Sequence, residues 1–360
     1  MRISIIGLGV IGGSLGLALK SANPRITVIG FDKPGTMRGA KKRGAIDIAA
    51  SGLREAVVEA DLVFVCTPVN IILDLLPKIA RYAKKDSIIT DVGSVKGAVD
   101  SAARRYFRSG PIFVGGHPMA GSEGSGIGYA DPLLFQNAVY VLCPLRKQTR
   151  RIDDLASLLK MIGARVLIMD ARRHDETAAA VSHLPQLLAV ALMEYAAGAN
   201  RKNPALFQLA AGGFRDMTRI ASSPYPIWHD IIANNRRSIG TTLGAFEALL
   251  RGMKKELSEA SLGKTGARFR RAKSFRDSIP RNTKGFLHSL HDVFVSVEDT
   301  PGVLANITAI LFSADINISD IELLKVREGE RGTFRLSFDS EEAATAAARA
   351  LRAKGIRVAK

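Results

Sequence analysis

Five glycines in the first sixteen residues, at positions 7, 9, 12, 13 and 16, constrain this chain more than any other feature. Three of them make Gly7-Leu8-Gly9-Val10-Ile11-Gly12. That segment follows a short apolar run, Arg2–Ile6, with strand character, and it opens a helical pattern reaching about Lys20. A second strand-like run, Ile26–Phe31, ends in Asp32, 20 positions after Gly12. G-x-G-x-x-G alone is a weak signal, but between a strand and a helix, with an acidic residue at that distance, it is the fingerprint of a dinucleotide-binding βαβ unit. Gly7 permits the tight turn, Gly9 lets the backbone approach a pyrophosphate, and Gly12 lets helix and strand pack closely. The helix N-terminus offers N–H groups to the phosphates. Asp32 would accept hydrogen bonds from the adenosine ribose hydroxyls and repel a 2′-phosphate, which favours NAD over NADP. Lys33 next to it weakens that preference slightly. The same glycines argue against reading Arg2 to Leu19 as a secretory signal. No other stretch has the 18 uninterrupted apolar residues of a spanning helix, since Leu184–Ala199 is broken by Gln186 and Glu194. The expectation is a cytoplasmic protein without a membrane partner. The two cysteines, Cys66 and Cys143, sit in apolar runs. They support neither a disulfide framework nor a metal site, so no metal is expected.

Strand-like runs continue at Leu62–Cys66, Ile88–Thr90 and Ile112–Gly115, with helical stretches at Asn70–Tyr82 and Val95–Phe107 between them. Val139–Cys143 and Arg165–Met169 read as closing strands. This alternation over residues 1–170 predicts an α/β, Rossmann-like, doubly wound parallel sheet. From Ala171 the spacing turns helical throughout, so 171–287 is expected to be an all-helical domain ending in a basic linker. Residues 288–360 read βαββαβ, a small ferredoxin-like unit. Net charge supports a separate tail. The chain carries +17, with 23 basic against 14 acidic residues in 1–170, 19 against 9 in 171–287, and 9 against 11 in 288–360. A basic surface attracts nucleic acid, acidic lipid or a small polyanion. Aromatics are only 6% of the chain and no nucleic-acid motif is present. A nucleic-acid partner is therefore not expected, and the basic run at 251–285 reads as solvated surface.

Three polar clusters fall where strands of the first domain should end: Thr67-Pro68, Asp91-Val92-Gly93-Ser94-Val95-Lys96, and Gly116-His117-Pro118-Met119-Ala120-Gly121-Ser122-Glu123. Ligands of doubly wound sheets bind at that edge. His117 is the sole histidine of the first 170 residues. As a neutral imidazole on a Gly/Pro-rich loop, it could accept a proton from a substrate alcohol while hydride leaves the carbon. In the helical part, Arg219 could clamp a carboxylate, with Asp216 one turn earlier to orient it.

Taken together, GLGVIGGSLGLAL, Asp32, DVGSVKGAV, GGHPMAGSEGSG, SHLPQLLA and GGFRDMTRIASSPYPIWHDI resemble the prephenate/arogenate dehydrogenases of tyrosine biosynthesis over about residues 1–286. The tail, with Glu298-Asp299-Thr300-Pro301-Gly302-Val303-Leu304, resembles an ACT domain, an amino-acid-sensing module. The resemblance implies NAD-dependent oxidative decarboxylation of prephenate to 4-hydroxyphenylpyruvate. It implies that His117 takes the hydroxyl proton and that Ser94 hydrogen-bonds the same hydroxyl or His117. Arg219 would bind a substrate carboxylate with Asp216 in support, Glu123 would lie near the mouth, and His183 would line the pocket. Thr67 and Pro68 would lie against the cofactor. Gln186 stands where many relatives have a second histidine. An uncharged side chain there suits the ketone of prephenate better than the ammonium of arogenate. The resemblance also implies substrate binding by the helical part and tyrosine as effector, held by Asp299, Pro301, Gly302, Val303 and Leu304, with Asn317 on the next strand. The several apolar faces of the helical part imply a homodimer, since paired helices would bury them.

Two enzyme alternatives stay open, an arogenate dehydrogenase and a dual-specificity cyclohexadienyl dehydrogenase. A β-hydroxyacid dehydrogenase would need a catalytic helical lysine, where this chain offers His183 and Arg219. The non-enzymatic alternative, an NAD-sensing regulator, would have no need of the GGHPMAGSE segment.

Overall fold

The computed structural model describes residues 1–122, 124–145, 150–259, 261–278, 290–298, 300–325 and 332–359. They form two compact units, Met1–Gly266 and Ala267–Lys360.

The first unit is built on eight strands: β1 (Arg2–Ile6), β2 (Thr27–Phe31), β3 (Ile48–Ala49), β4 (Leu62–Val65), β5 (Ile88–Asp91), β6 (Ile112–Pro118), β7 (Val139–Pro144) and β8 (Arg165–Ile168). Their order is β3-β2-β1-β4-β5-β6-β7-β8. The strands run parallel except where β7 pairs antiparallel with β6, so the sheet is mixed and not wholly parallel as the alternation predicts. Helices α1 (Val10–Ala22), α2 (Pro34–Lys42), α3 (Leu53–Val58), α4 (Val69–Tyr82), α5 (Gly97–Tyr106) and α6 (Arg150–Met161) connect them. Period-two alternation explains why the strands are apolar on both sides. Leu62 and Phe64 enter the core on one face of the sheet, and Val63 and Val65 enter the core on the other. Chain order reverses between β1 and β4, the crevice where doubly wound sheets bind ligands.

After the sheet come α7 (Ala171–Ala178), α8 (Leu184–Lys202), α9 (Gly212–Thr218), α10 (Tyr225–Ser258) and α11 (Leu262–Ser278), the last of which crosses the boundary between the units. A single π-helical turn, Ala179–His183, joins α7 to α8. Helix α10 breaks at Asn235, whose φ of −123° and ψ of 23° leave the helical region. The helical spacing expected from Ala171 onward is interrupted, because 204–209 are turns and regular helix resumes only at Gly212.

The second unit adds β9 (His291–Val297), α12 (Val303–Ser313), β10 (Asp320–Lys325), β11 (Gly332–Phe338), α13 (Glu341–Ala353) and β12 (Arg357–Ala359). Its sheet order, β10-β11-β9-β12, is antiparallel and ferredoxin-like. Val293, Val295 and Val297 bury one face of β9 against Ile307 and Leu311 of α12 and Ala347 and Leu351 of α13. Gly302, at φ +88°, takes the left-handed conformation that starts α12. Asn317 precedes β10, which begins only at Asp320, so it lies on the connecting loop and not on a strand.

Candidate active site

The turn after β1 has the shape its glycines predict. Gly7 sits at φ +90°, and a Cβ there would meet Cys66 O at 2.6 Å. A Cβ on Gly12 would meet Gly7 O at 1.9 Å, so the start of α1 closes on the turn. A Cβ on Gly9 would meet nothing within 4 Å, which leaves room for a ligand to approach the backbone. Leu8 is buried, while Val10 and Ile11 are half-buried at the N-terminus of α1, where no side chain caps the N–H groups. Asp32 follows β2, with Oδ2 accepting the Leu8 N–H at 2.6 Å and Oδ1 accepting the Lys33 N–H at 2.6 Å. A carboxylate has about four lone-pair sites, so both oxygens keep acceptor capacity for ribose hydroxyls. At the end of β4, Thr67 Oγ1 is buried with no protein partner, and exposed Pro68 caps α4. A buried hydroxyl without a partner is rare. Its place beside the glycine turn fits a dinucleotide, and so does the open approach to Gly9.

His117 does not sit on a loop as expected. It lies within β6, facing Val141 of β7, and is 8% exposed. The antiparallel β7 extends pairing past the Gly116-His117-Pro118 segment, which the glycine and proline content had suggested would be irregular. From the start of α5, buried Lys96 donates to Gly116 O at 2.6 Å and pairs with the Asp91 carboxylate. Asp91 in turn accepts the Gly93 N–H at 2.8 Å and the Gly116 N–H at 3.1 Å. The Asp91–Lys96 pair therefore ties the end of β5 to the residue just before His117. Ser94 is half-buried in the loop between β5 and α5. Among the described residues, no hydrogen bond joins it to His117.

A further histidine meets His117 from the helices. His117 Nδ1 lies 2.8 Å from His174 Nε2, and His174 Nδ1 lies 2.8 Å from Asp175 Oδ1. Asp175 also accepts the Lys96 N–H at 2.7 Å and the Gly97 N–H at 2.8 Å, which fixes the start of α5. Burial holds the His117 imidazole well below its usual range of protonation, and nearby His174, Lys96 and His183 push it the same way. The ring is therefore neutral at pH 7 and able to take a proton.

His183, on the π-turn, is buried, and burial pushes it down to about 4. Asn235, at the break in α10, donates to Asp175 O at 2.9 Å and lies 3.2 Å from His183 Nδ1. The ring of Trp228 meets His183 edge-on at 6.0 Å. Gln186 is 5% exposed, and its amide donates to Ile220 O at 2.8 Å, which ties it to the turn that carries Arg219. Arg219 and Asp216 are both exposed on the single chain. Glu123 and Asp299 lie outside the described residues, while Pro301, Val303 and Leu304 flank Gly302 at the start of α12.

The structure thus joins His117, His174, Asp175, His183 and Asn235 in one connected group. His174, Asp175 and Asn235 are absent from the sequence expectation. For the first two, the one sequence signal is that they form an adjacent His-Asp pair just upstream of Ser182-His183-Leu184-Pro185. Asn235 gave none, because a helix break cannot be read from an otherwise regular helical pattern.

Residues 15–168 match the family description "Prephenate dehydrogenase, nucleotide-binding domain", 170–269 match "Prephenate dehydrogenase, dimerization domain", and 291–354 match "ACT domain". The chain is 37% identical over 346 residues to a prephenate dehydrogenase of Bacillus subtilis (strain 168), covering 94% of this chain and 92% of that one. It is 36% identical over 351 residues to one of Lactococcus lactis subsp. cremoris (strain MG1363), covering 95% and 94%. Among solved structures it resembles prephenate dehydrogenase from A. aeolicus in complex with hydroxyphenyl propionate and NAD+. That match has a TM-score of 0.71 and 28% identity, and it covers 78% of this chain and 98% of that one. Synechocystis arogenate dehydrogenase is similar at TM-score 0.70 and 30% identity, covering 77% and 99%. By fold, by motif and by similarity along nearly its whole length, this chain belongs to the prephenate dehydrogenase family.

Proposed function

We propose that the chain is an NAD-dependent prephenate dehydrogenase, converting prephenate to 4-hydroxyphenylpyruvate and carbon dioxide. The observation that carries this reading is the buried, neutral His117 at the carboxyl edge of the sheet, two strands from Thr67 and three from the glycine turn. Prephenate is a cyclohexadienol bearing a ring carboxylate and a pyruvyl side chain. Its oxidation needs a base on the hydroxyl and a clamp on the acid groups. His117 accepts the hydroxyl proton as the carbinol carbon becomes electron-poor. The ring carboxylate then leaves as carbon dioxide, and aromatisation makes the step irreversible. Arg219 holds a substrate carboxylate with Asp216 in support, Ser94 steadies the hydroxyl, and Glu123 lies at the mouth. His183 lines the wall, with Gln186 beside it. Gly7, Leu8, Gly9, Val10, Ile11, Gly12, Asp32, Thr67 and Pro68 hold the dinucleotide. When bound, NAD supplies the hydride acceptor.

The division at 170 and 287 assigns the sheet to cofactor, the helices to substrate and pairing, and the tail to regulation. The helical part exposes Leu209 (80%), Tyr195 (76%) and Met217 (69%) on the single chain. Burying such groups in a second copy supports a homodimer. Tyrosine as effector rests on the ACT match and on Pro301–Leu304 at the start of α12. No helix among the described residues is long and apolar enough to cross a membrane, and a cytoplasmic location is our reading.

One steady-state experiment tests this assignment: NADH formation from prephenate and from arogenate, with and without tyrosine. Faster turnover of prephenate, inhibited by tyrosine, is expected. A higher kcat/KM for arogenate would overturn the substrate assignment, with Gln186 the first residue to re-examine.

A further inference from the structure

With a single ring proton on His174, chemistry sets the direction of each hydrogen bond behind His117. Asp175 uses both carboxylate oxygens to accept backbone N–H groups, from Lys96 and Gly97. Oδ1 therefore meets His174 Nδ1 as an acceptor, and the imidazole must donate across that 2.8 Å contact. A neutral His174 with its proton on Nδ1 has a bare Nε2, which can only accept. Across the next 2.8 Å contact the donor is then His117 Nδ1. That leaves His117 Nε2 as the lone-pair nitrogen. His174 and Asp175 are 3% and 6% exposed, so water does not compete for these bonds.

We propose that His174, anchored by Asp175, is a positioning residue that fixes the tautomer of His117 and presents Nε2 as the base. As the substrate O–H bond breaks, its proton bonds to Nε2, while the hydride of the same carbinol carbon passes to the cofactor. The Nδ1 proton stays on His117. The Nδ1–H keeps its hydrogen bond to His174, and no proton leaves the chain. Asp175 does two jobs, because it also caps α5, so His174 is the position where the tautomer can be tested alone.

The kinetic half of this inference rests on the proposed dehydrogenase reading, but the tautomer does not. In full-length protein with 15N-labelled histidine, the His117 ring at pH 7 is expected to carry its proton on Nδ1 and none on Nε2. Replacing His174 with Leu removes the acceptor. It is expected to return the ring to a mixture rich in Nε2–H and to lower kcat about 100-fold. The KM for prephenate should stay within about threefold, since the hydroxyl contact and not the acid clamp is lost. His174→Gln places an amide oxygen where Nε2 was, so it should restore the Nδ1–H form and bring kcat back to within about tenfold of the native enzyme. An Nε2–H tautomer in the native protein would overturn the inference. So would a Leu variant with native kcat, or a Gln variant that melts normally and is as slow as Leu. Absence of any prephenate oxidation in the native protein would instead overturn the functional reading.

Discussion

Burial, with His174, Lys96 and His183 around it, sets the protonation of His117. Each of these disfavours the imidazolium, so the ring loses its proton at a pH below the ordinary value of 6.5. The base form is then fully present through neutrality. We predict a kcat/KM for prephenate that is level from about pH 6.5 upward on its acid side and falls only well below that. A fall that begins above 6.5 would show a different base. Arg219 tests the clamp. Lysine keeps the charge but cannot match a carboxylate with two parallel N–H bonds, so Arg219→Lys should raise KM for prephenate about tenfold and change kcat less. His117 was legible in the sequence because glycine, proline and polar residues crowd around it at a strand end. His174 was not, because a histidine in the charged run Arg172-Arg173-His174-Asp175-Glu176 reads as surface until the fold brings it against β6.

Elements were legible where periodicity is strong. The apolar strands β1 and β4, the glycine turn and the βαββαβ order of the tail all fall where the pattern places them. What the pattern missed are departures from regularity that serve the site. The π-turn at Ala179–His183 re-aims one helix, and the break at Asn235 lets a polar side chain reach Asp175 O and His183. Single π-turns inside helices often mark such positions. Neither leaves a periodic trace. At this scale the Asp91–Lys96 pair is the joint between β5, β6 and α5. Lys96→Met should cost roughly 3–5 kcal/mol, because it leaves the Asp91 carboxylate buried without its cation. Chemical denaturation would read this as a lower midpoint with an unchanged slope, and a loss below about 1 kcal/mol would mean that the joint is held elsewhere.

For the molecule as a whole, charge and pairing matter most. A dianionic substrate approaching a chain of net charge +17 should bind faster at low salt, so kcat/KM should fall as ionic strength rises. A salt-independent value would argue against steering. His183 adds a pH dependence to stability. Its native value near 4 lies below the ordinary 6.5, so between those values the unfolded chain binds a proton that the folded chain refuses. Its contribution is complete above about 6.5 and is lost as pH falls toward 4, which thermal melts over that window would record. Deleting residues 288–360 should abolish tyrosine inhibition and leave turnover. Inhibition that survives the deletion would move the sensor away from the ACT unit. The most direct test of the whole account is the turnover of His117→Asn, measured as NADH formed from prephenate at saturating NAD. With a native melting temperature and native NAD binding, the variant is predicted to lose about 100-fold or more in kcat. A kcat within about twofold of the unaltered enzyme would show that another group takes the proton.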